Sequence, residues 1–163
     1  MPRFLLAAFT LLAFIGVRNE GRPAQPETPD RDLLSDSELF YEVSGGLAGV
    51  VRTARLVAKA GEVSAEYASS EMRPGTGPQK GALEHSRYLE LWEEAERAGI
   101  WSIRISGKAT GADLIRHELS ARAGDRRHTV SWSDGSGSSA TIESAVRIGE
   151  RILAVAREVT TER

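Results

Sequence analysis

The chain has 163 residues, of which 40% are hydrophobic and 27% charged, and its formal net charge is −2. That balance is ordinary for a soluble globular protein and leaves no basic face for nucleic acid. There is no cysteine, which excludes disulfides, thiolate zinc sites and a cysteine nucleophile together.

The first residues stand apart from the rest. Arg3 precedes the uncharged run FLLAAFTLLAFIGV, residues 4–17. The run is shorter than the roughly 20 residues of a transmembrane helix, and it suits the apolar core of an export signal with a positive flank. Residues 1–17 are therefore expected to be an export signal or an apolar anchor. A start codon placed too early is the plainer alternative. Export places the chain in the periplasm or outside the cell, and an uncleaved segment would hold it at the membrane. Residues 18–37 carry Pro23, Pro26 and Pro29 among polar neighbours and read as a flexible linker. Residues 38–160 remain as a single domain, long enough to bury a core without covalent staples.

Within that domain, residues 39–43 alternate, with Leu39, Tyr41 and Val43 on one side and Phe40 and Glu42 on the other. A second strand runs from Val50, with Val51, Thr53, Arg55 and Val57 sharing one face and Val50, Arg52, Ala54 and Leu56 the other. The connection between them, SGGLAG, is longer and richer in glycine than a tight reversal requires. After the turn signal at residues 60–62, a third strand over 63–69 would put Val63, Ala65 and Tyr67 on one side. Residues 69–81, with two prolines and three glycines, read as a loop. Tyr88, Leu91, Trp92, Ala95 and Ala98 then recur at helical spacing, and Gly99 is placed as the glycine that ends such a helix.

Residues 106–112 read as a second loop. A hairpin follows. With Gly124 and Asp125 at the turn, His117 falls opposite Trp132, Leu119 opposite Val130 and Ala121 opposite His128, which separates an apolar face from a polar one. The last helix, about 141–159, carries Ile142, Ala145, Val146, Gly149, Ile152, Leu153 and Ala156 on one stripe, with Ser139 or Thr141 as its N-cap. The order implies an α+β fold: a mainly antiparallel sheet of four to five strands, covered on one face by two helices.

Searches for chemistry return little. No zinc-protease, phosphate-loop or nucleophile-elbow motif is present. The serines of residues 135–139 have no base placed beside them, because His128 points to the core face. A histidine-built zinc site needs His85, His117 and His128 to converge, and His85 belongs to a different helix stripe. Glu90, Glu93, Glu94 and Glu96 are the wet side of a helix, and Trp92, Trp101 and Trp132 read as core or cap residues. No catalytic residue, metal or cofactor is therefore assigned, and an enzyme requires histidines and carboxylates that converge in one pocket.

The glycine connection has two readings. It is either a hairpin link with no role, or a recognition loop on a rigid scaffold with Leu47 as an exposed apolar anchor.

Three stretches resemble the emfourin family, small bacterial inhibitors of thermolysin-like zinc metalloproteases. They are YEVSGGLAGVVRT at residues 41–53, a helix closing at AERAGIW, and IRHELSARAGDRRHTVSWSD at residues 115–134. The likeness covers about residues 39–155. The family carries a strand–SGGFAG–strand opening and a later G-x-R-x-H-T-V stretch, matched here by Gly124, Arg126, His128, Thr129 and Val130. Leu47 stands where an aromatic residue is usual. The resemblance implies a non-enzymatic inhibitor whose protein partner is such a protease. Its partner-binding residues would be Ser44, Gly45, Gly46, Leu47, Ala48 and Gly49, entering the protease cleft. The alternative is a non-inhibitory exported domain, binding or structural, with another ligand.

Overall fold

Alternation builds the middle of the sheet. Strand β1 (Asp36–Gly45) buries Ser37, Leu39, Tyr41 and Val43 and turns Glu38, Phe40 and Glu42 the other way. The computed structural model describes residues 33–73, 75–105, 113–136 and 139–161. Residues 1–32, expected as export segment and most of the linker, lie outside the described residues, as does the expected loop at 106–112.

Five further strands follow: β2 (Val50–Lys59), β3 (Glu62–Ser69), β4 (Gln79–Ala82), β5 (Ile115–Ala123) and β6 (Arg126–Ser133). They form one antiparallel sheet in the order β4-β3-β2-β1-β5-β6. Registers keep one face apolar throughout. Tyr41 lies between Ala54 and Leu119, and Leu39 between Leu56 and Ala121; all six side chains are buried. A slip of one residue in any ladder would turn that set to solvent.

Helices α1 (His85–Arg97) and α2 (Ala140–Thr161) cover this face. Their buried stripes are Tyr88, Leu91, Trp92 and Ala95 on α1, and Ala145, Ile148, Ile152, Leu153 and Ala156 on α2. α1 ends in a Schellman motif: Gly99 N–H donates to the Glu96 carbonyl (2.8 Å) and Ile100 N–H to that of Ala95 (3.0 Å). Ile100 is buried beneath the cap. At α2, the Ser139 hydroxyl accepts from Ile142 N–H at 3.2 Å, the N-cap bond expected from sequence.

Two expectations need correction. The sheet has six strands, because residues 79–82 leave the expected loop and pair with β3, placing Gly81 beside Ala65. The ordered fold also begins before residue 38. Leu33–Ser35 form a 3-10 turn, and Leu34 and Ser37 are buried. The Ser37 hydroxyl donates to the Leu34 carbonyl and meets the Tyr88 hydroxyl, both at 2.8 Å. This closes the sheet onto α1.

Candidate functional site

Glycines decide the shape of the β1–β2 connection. Gly45, Gly46 and Gly49 all take positive φ, at 111°, 72° and 60°. At Gly45 the constraint is also one of space, since a Cβ there would stand 2.5 Å from the Leu114 carbonyl oxygen. Glycine thus lets β1 lie against the start of β5 at the point where it turns. The ladder closes at Gly45 opposite Val50. Beyond it project Gly46, Leu47, Ala48 and Gly49, tied by one bond from Gly49 N–H to the Gly46 carbonyl at 3.0 Å. Ser44 and Gly45 therefore belong to the strand, and the remaining four expected site residues form the tip.

Leu47 is 91% exposed. Two more large apolar side chains are exposed among the described residues: Val51 at 39% and Ile115 at 37%. Both flank the tip. Val51 lies opposite Ser44 and Ile115 opposite Gly45, on opposite faces of the sheet. The sequence groups Val51 with Thr53, Arg55 and Val57 on one face of β2, and Ile115 with His117 and Leu119 on the apolar face of β5. The available signal was position: each is the first or second residue of its strand, at the end of the sheet. Polar groups lie beside Val51. Ser70 exchanges bonds with Val51, its N–H donating to the Val51 carbonyl (2.8 Å) and its hydroxyl accepting from Val51 N–H (2.9 Å). Arg52 faces Glu71 at 4.0 Å.

The histidines go to separate places. His85 opens α1 and is exposed. His128 Nε2 is 2.9 Å from the Ile103 carbonyl. His117 is buried and stacks flat on Trp132, with ring centroids 5.0 Å apart and planes 4° apart. Its Nδ1 lies 2.8 Å from the Tyr41 hydroxyl and its Nε2 2.9 Å from Asp134 Oδ1. A carboxylate only accepts, so Nε2 carries hydrogen and donates to Asp134, while Nδ1 bonds with the Tyr41 hydroxyl. Burial, with Glu150 and Asp134 nearby, holds that hydroxyl well above the ordinary tyrosine range. Tyr41 is 0% exposed and both ring nitrogens of His117 are engaged. Among the described residues no three metal-ligating side chains come together. A surface groove of about 800 Å³ opens at the other end of the sheet, beside the β2–β3 turn and His85.

The described residues contain no helix long and apolar enough to cross a membrane. No protein-family model matches the chain, and no curated protein matches it.

Proposed function

We propose that the chain is an exported, non-enzymatic inhibitor of a thermolysin-like zinc metalloprotease, in keeping with its sequence resemblance to the emfourin family. The tip at Gly46, Leu47, Ala48 and Gly49, carried on Ser44 and Gly45, enters the protease cleft and blocks substrate. The observation that carries this reading is the clustering at one tip of Leu47, Val51 and Ile115, the large apolar side chains exposed among the described residues. Large apolar side chains left in water at one end of a sheet favour a macromolecular partner. A loop closed by its own hydrogen bond and by glycine geometry loses little conformational freedom on docking, which favours affinity. The inhibitor itself supplies no metal in this mechanism.

The same tip also suits an exported binding domain with a different protein ligand. Titration separates the two readings. Residual activity of a thermolysin-like protease is measured against increasing amounts of the chain. Stoichiometric loss of activity at micromolar inhibitor is expected, and full activity there removes the inhibitor reading for that enzyme class.

A further inference from the structure

The tip has a neighbour held by an unusual device. Ser44 pairs with Arg116, and Arg116 with Ser133, so the end of β6 lies in the same row as the base of the tip. Two strand spacings separate them, roughly 10 Å. The chain leaves β6 in a 3-10 turn, Asp134–Ser136, at the same end of the sheet. Its connection to the core runs through side chains. Asp134 Oδ1 accepts from His117 Nε2 at 2.9 Å, and His117 Nδ1 meets the Tyr41 hydroxyl at 2.8 Å. The Tyr41 ring in turn rests on Gly149 of α2, where a Cβ would come within 2.3 Å of it.

Buried polar side chains are few among the described residues: Ser37, His117 and Thr160. Ser37 bonds within the core, and Thr160 donates to the Ala156 carbonyl one turn back. His117 alone of these three bonds to an exposed side chain, that of Asp134, which is 56% exposed. An apolar residue would pack on Trp132 equally well. What it could not do is tie Asp134 to the core; within the turn itself, the Ser136 hydroxyl accepts from Ser133 N–H at 3.2 Å.

We propose that His117 is a positioning residue for the docking edge. Through Asp134 it fixes the Asp134–Ser136 turn as a second wall beside the glycine tip. The inference rests on the reading of the tip as a protease-blocking element. A cleft is then met by two projections on one rigid sheet end rather than by a single loop. The strut acts by a hydrogen bond, so the shape of the turn matters and the charge of Asp134 does not.

The test compares Asp134→Ala with Asp134→Asn in the full chain. Both change an exposed side chain and leave the core intact. Asparagine retains an oxygen to accept from His117; alanine does not. Inhibition of a thermolysin-like protease should weaken about tenfold in Asp134→Ala and stay within about twofold in Asp134→Asn. Amide hydrogen exchange at residues 133–136 should speed up in the alanine variant alone. Equal losses in both variants would show that the carboxylate touches the protease directly, which overturns the positioning role. Unchanged exchange in Asp134→Ala overturns the strut. Faster exchange with unchanged inhibition overturns the second wall and spares the strut. A protease untouched by the unaltered chain overturns the docking role together with the reading beneath it, while the exchange measurement still judges the strut by itself.

Discussion

The two ends of the sheet solve the same problem in opposite ways. At one end, β2–β3 and β5–β6 reverse through the pairs Ala60–Gly61 and Gly124–Asp125. These turns are drawn inward: Ala60 N–H donates to the Ser35 carbonyl and Gly124 N–H to that of Asp36, at 3.1 and 3.0 Å. Asp36 and Arg122 pair beside them at 3.0 Å. At the other end, β1–β2 reverses through four residues with a single internal bond and holds Leu47 out in water. Two residues suffice to reverse this sheet, as two of its hairpins show. The longer connection is therefore no requirement of the fold, and its exposed leucine has no role in the core.

The sharpest way to break the comparison is at Gly45. Gly45→Ala places a Cβ against the Leu114 carbonyl at a positive φ, and should cost about 3 kcal/mol in a urea melt while distorting the tip. Leu47→Asp isolates the tip from the scaffold. Inhibition should fall on the order of a hundredfold, while stability stays within about 0.5 kcal/mol because the side chain touches no core. At the inward end, Ala60 is the one non-glycine residue at positive φ among the described residues, at 52°. Ala60→Asn should raise stability by about 0.5–1 kcal/mol, because an Asn-Gly pair suits a two-residue turn; inhibition should not change.

The smallest expected effect is one of pH. The hydrogen bond from Arg122 holds the Asp36 carboxyl below its ordinary value. A depressed carboxylate contributes stability above its unfolded pKa and loses that contribution as pH falls through the folded value. Arg122→Met should therefore flatten the acid side of the stability curve below about pH 4, read as urea midpoints across pH, with the tip's activity intact.

Local periodicity makes most of the fold legible in the sequence. The β5–β6 register, with His117 opposite Trp132 and Leu119 opposite Val130, followed from separating apolar from polar residues about one turn. The faces of β1 to β3 and the α1 stripe followed for the same reason; on α2, Ala145, Gly149, Ile152, Leu153 and Ala156 followed too, but the buried Ile148 and Val155 did not, and Ile142 and Val146 are only partly buried. β4 was not legible. QKGA has no alternation, and its strand conformation comes from pairing with β3 and from the α2 end, whose Val159 carbonyl leaves no room for a Cβ on Gly81. The early start of β1 hid inside a proline-rich stretch, although Leu34, Ser37 and Leu39 were there to be read. At the candidate site, glycine content exposed the tip. Its flanking Val51 and Ile115 escaped notice because alternation assigns faces and says nothing about where the helices stop. The Tyr41–His117–Asp134 chain joins residues 76 and 17 positions apart, a distance no local pattern spans.

β4 also has a consequence for self-association. It is four residues long, the sheet ends there, and Lys80 stands out from it, with most of its side chain in water. A foreign strand seeking to extend the ladder would find a template of one short segment carrying a charge. On that flank the sheet is self-limiting, so the molecule can display an oily leucine at one end without offering a growth point for fibrils along β4.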